Sequence, residues 1–341
     1  MVAVDILKFP TSSPADTSPL TRLSAAGYNA SDILAVIGKT EGNGCVNDFS
    51  RTLASAVWEP LIPKDAVTIF SGGTEGMLCP HVTFVVRQPD SKPSGLLAAV
   101  GHTRDLEPHE VGSLAHTQAV AAKVASMISE LGVTSGNVQL VLIKCPLLTS
   151  AKVAAIKAAG KTPLTTDTYE SMAKSRYASA MGIASALGEI SDGQVENSLH
   201  SGAAYSGRAS CSSGAELEDN HIFILASNPA EPSNGLRAVS GVMQDAIDAA
   251  TVLDLLQKVR QDGGRVVQVF AKAEADPTGQ VRGNRHTMNT DSDIHSTRHA
   301  RAAVGGLLAG LVGDPQLYVS GGAEGQGPAG GGSLSVVYRV S

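Results

Sequence analysis

The chain of 341 residues is 43% hydrophobic with a formal net charge of -6, enough apolar material for a sizeable core spread over two or three domains. That acidic balance, without basic runs or interleaved aromatics, argues against a nucleic-acid partner. No apolar run approaches bilayer length, no signal-peptide pattern opens the chain, and Cys45, Cys79, Cys145 and Cys211 form no CxxC pair. Free thiols in a cytoplasmic protein are expected.

In chain order, a strand over 4–9 leads through a Pro/Ser/Asp/Thr loop to a short helix over 20–26, and a turn at 29–32 feeds an apolar strand ending at Lys39. Beyond the loop 40–44, Arg51 opens a helix. A strand over 66–70 delivers Ser71, and strands over 81–87 and 96–100 complete a first unit. A helix of good apolar period from about Asp105 to Leu131 opens the second, followed by a strand ending at Lys144, a helix over 150–159, a loop over 165–170 and the Arg176 helix. A polar, Gly/Ser-rich insertion over 191–210 precedes Ser212 and a strand over 221–226. The third unit opens near Leu236 with a helix over 242–259, then a strand to Lys272, a polar stretch over 282–298, the Arg301 helix, a strand to Ser320, a glycine-dense loop over 325–332 and a last strand over 334–340. Linkers are expected near 101–105 and 229–235.

One stretch occurs three times. Ser71-Gly72-Gly73-Thr74-Glu75, Ser212-Ser213-Gly214-Ala215-Glu216 and Ser320-Gly321-Gly322-Ala323-Glu324 each set a serine before a small residue, Gly, a small residue and Glu. Upstream of each lies an apolar strand ending in Lys39, Lys144 or Lys272, and between lysine and serine a small-residue helix with Arg51, Arg176 or Arg301. Residues 176–188 and 301–313 match without a gap, which favours Arg301 over the nearby Arg298. Lys, Arg and Ser in one order, three times, predict an α/β (α+β) fold of three similar repeat units, 1–100, 105–230 and 236–341. Each is expected to be a small sheet with packed helices, around a pseudo-threefold axis with one central active site.

A serine hydroxyl needs a base to become a nucleophile, and no histidine with its carboxylate accompanies these serines. A lysine serves if burial or a neighbouring cation keeps it neutral, and each lysine here ends a buried-looking strand in a copy that also has an arginine. Serine at a Gly-rich turn sets backbone N–H groups where an oxyanion can be held, and arginine offers a fixed fork to carbonyl oxygens. Three such sets form a ring of donors for a small, flat ligand with carbonyls on three sides. Sequence alone does not choose among the three Ser-Lys dyads.

Longer motifs carry a resemblance. Lys39-Thr-Glu-Gly-Asn-Gly-Cys-Val-Asn-Asp, Lys144-Cys-Pro-Leu-Leu-Thr, Thr166-Asp-Thr-Tyr-Glu-Ser-Met, Phe270-Ala-Lys-Ala-Glu-Ala, Arg285-His-Thr-Met, Asp291-Ser-Asp-Ile and the Ser320 glycine loop resemble the cyanuric acid hydrolase and barbiturase family of ring-opening amidohydrolases, nearest its cyanuric acid hydrolases. The resemblance implies Ser212 as nucleophile and Lys144 as base, opening the ring to carboxybiuret, which decarboxylates to biuret. It implies substrate contacts from Arg51, Arg176 and Arg301 with Ser71, Gly72, Ser213, Ser320 and Gly321, beside the lysines Lys39 and Lys272. No catalytic cofactor is implied. A structural divalent cation, magnesium or calcium, is, held by Glu274 and backbone oxygens of Ala323, Gln326, Gly327, Pro328 and Gly331, as hard cations prefer. The implied partners are a small cyclic imide and further copies of the chain in a homotetramer, with neither nucleic acid nor membrane.

Rival readings attach to particular residues. His286, His295 and His299 with Asp291 or Asp293 suggest a metal-dependent cyclic amidase, but no HxH or HExxH pattern accompanies them. Cys211 or Cys145 beside the dyad suggests a thiol nucleophile, although the threefold pattern repeats serine. A barbiturase, or a non-catalytic binding protein whose Gly-rich turns cradle an anion, completes the alternatives.

Overall fold

The computed structural model describes residues 2–89, 94–232 and 235–340. Met1, Ser341 and the 233–234 portion of the expected linker lie outside the described residues. The first unit comprises β1 (Val4–Pro10), α1 (Pro19–Ala25), β2 (Ile33–Thr40), α2 (Phe49–Trp58), β3 (Val67–Gly72) and β4 (His81–Arg87). The second comprises β5 (Leu96–His102), α3 (Leu114–Leu131), β6 (Val138–Pro146), α4 (Ser150–Ala158), α5 (Thr168–Ala186), α6 (Asp192–Ser201), β7 (Ala209–Gly214) and β8 (His221–Ser227). In the third lie β9 (Leu236–Met243), α7 (Ala249–Gln261), β10 (Gly264–Ala273), a hairpin of β11 (Gln280–Val281) and β12 (Asn284–Arg285), α8 (Ser296–Val312), β13 (Tyr318–Gly321) and β14 (Gly332–Val340).

The three main sheets share one order, β1-β4-β2-β3, β5-β8-β6-β7 and β9-β14-β10-β13. In each, the lysine strand runs parallel to the serine strand and antiparallel to the last strand of its unit. A parallel pair needs a long crossover, and here the arginine helix supplies it. One apolar core draws on all three sheets, with Ile37 and Ile69 from the first, Leu142 and Phe223 from the second, and Phe270 and Tyr318 from the third. Three further cores fill the space between each sheet and its helices. The sheets therefore enclose a shared centre and the helices form an outer layer, as the repeat predicted.

The period of two along a strand explains why lysines face that centre. Ala35 and Ile37, then Leu140 and Leu142, then Phe270 line the shared core, so Lys39, Lys144 and Lys272 continue the same face at the end of each strand. Register then fixes the partner of each lysine, pairing Lys39 with Ser71, Lys144 with Ser212 and Lys272 with Ser320.

Several sequence expectations need correction. The strand read as closing the first unit, β5, pairs along its length with β8, so residues 96–100 belong to the second sheet and the expected 101–105 linker is partly the end of β5. The third unit likewise opens on a strand, β9, with its helix starting only at Ala249. Runs such as Leu-Arg-Ala-Val-Ser-Gly-Val-Met satisfy a helical period over a few residues, and pairing with β14 settles them as strand. Part of the expected loop 165–170 is the first turn of α5, capped by Asp167, and half of the insertion 191–210 is the helix α6.

Candidate active site

Lys39, Lys144 and Lys272 are 1%, 2% and 0% exposed, an unusual burial for a cation. Burial, then the Arg301 charge, drives Lys39 well below its ordinary pKa. Burial, followed by Arg176, brings Lys272 down to about 7. Burial brings Lys144 down to about 8, with the Glu216 carboxylate resisting and Arg51 reinforcing the fall. All three amines thus have accessible neutral forms.

The first and third units make the same local contacts. Lys39 Nζ donates to Ser71 Oγ at 3.3 Å and to the Gly72 carbonyl at 3.0 Å, and Lys272 Nζ donates to Ser320 Oγ at 3.1 Å and to the Gly321 carbonyl at 3.2 Å. Lys144 departs from this. Like Lys272, which also donates to the Cys211 carbonyl of the second unit at 2.7 Å, it reaches a neighbouring unit, donating to the Phe70 carbonyl at 2.8 Å, but it lies 3.2 Å from Glu216 and makes no bond to its own serine, and Ser212 Oγ is buried with no hydrogen-bond partner among the described residues. The register brings Lys144 and Ser212 side by side without a hydrogen bond between them. Tyr318, fully buried, brings its hydroxyl close to both Ser212 and Ser71, also without forming one.

The arginines cross from unit to unit. Arg301 grips Glu75 of the first unit through Nε and Nη2 at 2.8 and 2.7 Å, and Arg176 grips Glu324 of the third through the same two nitrogens at 2.7 Å each. Burial opposes ionisation of Glu75 and of Glu324, yet these forks outweigh it and hold both carboxyls below their ordinary values. The cyclic counterpart would be Arg51 on Glu216. Instead Arg51 donates to the Ser213 carbonyl at 2.9 Å and the Cys45 carbonyl at 2.7 Å, its Nε has no hydrogen-bond acceptor, and Glu216 faces Lys144.

Backbone shape accounts for this break. Gly73 and Gly322, two residues after their serines, adopt φ of 99° and 75°, a turn open to glycine that carries Glu75 and Glu324 over to the neighbouring arginine. Gly214, at the same place, stays in strand β7 and pairs with Pro146, so the second motif runs straight for longer and delivers Glu216 to Lys144. Ser213 stands where the other copies have Gly72 and Gly321, and its hydroxyl accepts from Arg176 Nη1 at 3.3 Å. At Gly72 a Cβ would fall 1.6 Å from Asp48, and at Gly321 it would fall 2.6 Å from Arg301.

The structure therefore gathers Ser71, Gly72, Ser212, Ser213, Ser320, Gly321 and the three lysines and three arginines at one end of the shared core. Arg301 is buried in that ring, whereas the side chain of Arg298 is 37% exposed and touches Glu75 from outside at 3.2 Å. Glu75, Glu216 and Glu324 join this ring, a place that the sequence reading did not assign to them. Their signal was present, a glutamate four residues after each serine, but its meaning depends on which unit lies next to which.

Glu274 follows β10 two residues after Lys272 and is half-buried beside the glycine loop. Burial, then the Glu324 charge, pushes its carboxyl up to about 7, and one long bond from the Gly330 N–H, 3.3 Å, is its only donor among the described residues. The carbonyls of Ala323, Gln326 and Pro328 each accept one turn hydrogen bond, which leaves each a second lone pair. The Gln326 side chain accepts from the Cys211 N–H and Ser333 Oγ donates to the Ala209 carbonyl, so the loop is fastened to the strand that carries Ser212.

The rival sites do not assemble. His295 caps α8 and its ring lies 2.9 Å from the Tyr169 hydroxyl, His299 pairs with Asp291 at 3.0 Å, and these residues with His286 and Asp293 form no ligand cluster among the described residues. Cys211 and Cys145 point to the outer core of the second unit, the opposite face of the strands from Ser212 and Lys144, and burial pushes both thiols up.

Residues 5–339 match the family model described as amidohydrolase ring-opening protein. The chain belongs to the ring-opening amidohydrolase family. This amidohydrolase is 65% identical over the full length of both chains to a cyanuric acid amidohydrolase of Sarocladium sp. It is 44% identical, again over the full length of both, to that of Pseudomonas sp. (strain ADP). A solved cyanuric acid hydrolase, described as an evolutionary innovation by structural concatenation, superposes with a TM-score of 0.93 at 43% identity, covering 99% of this chain and all of that one. The cyanuric acid hydrolase of A. caulinodans gives 0.92 at 39% identity, with both chains fully covered. The amidohydrolase thus shares its whole fold, and its class as a hydrolase of cyclic amides, with these proteins. Among its described residues no helix is long and apolar enough to cross a membrane.

Proposed function

We propose that this amidohydrolase opens the ring of cyanuric acid, with Ser212 as nucleophile and Lys144 as general base. The observation that carries the choice of dyad is the broken symmetry at the second unit. In the other copies lysine donates to its own serine hydroxyl, and glutamate is held by the next arginine. At the second, Ser212 Oγ is unpartnered and Lys144, with a pKa of about 8, has a carboxylate at hand to steady the ammonium that forms once it takes a proton.

The steps follow from that arrangement. Lys144 Nζ removes the Ser212 proton as Oγ bonds to a ring carbonyl carbon, and the oxyanion is held by donors of the ring. Collapse breaks the ring C–N bond, and the lysine returns the proton to the departing nitrogen. Water, deprotonated by the same amine, then releases carboxybiuret from the serine, and loss of carbon dioxide leaves biuret. Ser71, Gly72, Ser213, Ser320 and Gly321 with Arg51, Arg176 and Arg301 face the remaining carbonyls, and Lys39 and Lys272 complete the ring of donors.

A divalent cation, magnesium or calcium, fits the Glu274 loop, where a half-buried carboxylate with one long donor would be joined by carbonyls of Ala323, Gln326, Gly327, Pro328 and Gly331. Its charge would keep Glu274 ionised and hold the loop that braces the Ser212 strand. Exposed Phe49, Leu53 and Met77, at 78%, 47% and 64%, support burial against further copies of the chain, which we read as a homotetramer. Four unpaired cysteines fit the cytoplasm.

The deciding experiment measures turnover of cyanuric acid and barbituric acid side by side. Wild type is expected to consume cyanuric acid, and Ser212→Ala and Lys144→Ala to abolish that turnover. Preference for barbituric acid would overturn the substrate, and full activity of either variant would overturn the dyad.

A further inference from the structure

A cluster apart from the Lys and Ser ring gathers at the seam between the first and second units. His102 ends β5, Asp219 lies just before β8 and His221 opens it, and one ligand atom from each falls within 4.8 Å of the other two. Among the described residues this is the one such group of three His, Cys, Asp or Glu side chains. His102 Nδ1 is 2.8 Å from one Asp219 oxygen and His221 Nε2 is 3.5 Å from the other. Both ion-pair partners of Asp219 are thus imidazoles.

The tautomer of His221 is set by its neighbour. Its Nδ1 lies 3.0 Å from the Thr68 carbonyl oxygen, which can only accept, so Nδ1 carries the hydrogen and Nε2 of the neutral ring presents a lone pair. That lone pair faces a carboxylate, which also only accepts. Two acceptors 3.5 Å apart leave a place for a cation between them. A second carboxylate adds to the local field, since the Thr68 hydroxyl donates to Glu59 at 3.0 Å.

We propose that His102 Nδ1, Asp219 and His221 Nε2 form a binding site for a divalent transition-metal ion of the zinc type, with water completing the shell. Two imidazoles and one carboxylate suit zinc, whereas an oxygen-only set such as the Glu274 loop suits magnesium or calcium. Tetrahedral bonds of the usual zinc length set neighbouring ligand atoms about 3.3 Å apart. The 3.5 Å separation is already there, and the 2.8 Å one opens by a small turn of His102, whose side chain is 37% exposed and borders the entry path. The Thr68 carbonyl acts as the outer hydrogen-bond acceptor that orients a metal-bound histidine. Thr68 lies on β3 three residues before Ser71, and His221 is the cross-strand partner of Lys144, so a bound ion clamps the seam beneath the reacting groups without touching substrate.

Cobalt(II) is the probe, titrated into chelator-stripped full-length protein with magnesium present to fill the oxygen site. One equivalent is expected to give the visible absorption of a low-coordinate nitrogen and oxygen site, to be displaced by zinc, and to raise Tm. His102→Ala, at a position open to solvent, and the isosteric Asp219→Asn are expected to weaken binding at least tenfold and lose the band, while His299→Ala keeps it. Absence of the band in wild type, or its survival in both His102→Ala and Asp219→Asn, overturns the site.

Discussion

Glu216 lies 3.2 Å from Lys144, while the two glutamates equivalent to it are clasped by arginines of the adjoining unit. Its carboxylate raises the pKa of Lys144 against burial and against Arg51. In Glu216→Gln that support is gone, so the amine becomes neutral at lower pH than its present value of about 8. The rising limb of kcat/KM against pH should move to lower pH by about one unit. A limb that stays in place would remove Lys144 as the base that titrates there.

The three serines should separate kinetically. Ser212→Ala is expected to lower kcat by about a thousandfold or more, whereas Ser71→Ala and Ser320→Ala should act mainly on KM, since those hydroxyls stay bonded to their own lysines. Steady-state kinetics on the three variants checks this, and equal losses in kcat would point to a shared role.

Cys211→Ser tests the thiol reading. The side chain sits in the outer core of the second unit, so a hydroxyl there gains no catalytic access and loses its surroundings. Turnover should stay within a few-fold of wild type while stability falls by about 1–3 kcal/mol, read from denaturant unfolding.

Gly322→Ala should damage the ring from outside the dyad. At φ 75° an added Cβ is strained, and it would lie 2.6 Å from Arg176 Nη2, within the fork that holds Glu324. We expect a loss of about 1–3 kcal/mol and a raised KM, measured by thermal unfolding and kinetics together. Gly214→Ala, at an extended position, makes the comparison, since there only the movable Glu216 carboxylate is in the way.

Chelation should lower Tm through the loop at Glu274, with magnesium or calcium restoring it, because a carboxylate there without a counter-ion faces both partial burial and the Glu324 charge. Glu274→Gln should abolish the restoration by magnesium or calcium. A Tm indifferent to chelator and to added ion would remove the cation from the loop.

Much of this molecule was legible before its shape was known. Three lysines at the ends of apolar strands told which face they would share, because a period of two leaves no choice once Ile37, Leu142 and Phe270 are buried. The threefold order of Lys, Arg and Ser told that the copies would meet. What could not be read was pairing between copies. Leu96 follows the first unit closely in sequence, yet its partner in the sheet is Ser227, and Arg176 finds Glu324 across 148 residues. The run of β7 through Gly214 was equally silent, since Gly-rich motifs of nearly one composition turn at Gly73 and Gly322 and continue straight at Gly214.

The straight run through Gly214 has a genetic meaning. If the three copies were identical subunits from one gene, any change that released a glutamate from its arginine would occur three times and leave the ring with no closed fork at all. Joined in a single chain, the second copy can lose its fork while Arg176 with Glu324 and Arg301 with Glu75 keep theirs. Two thirds of the ring remains a rigid frame, and the remaining third is free to become reactive.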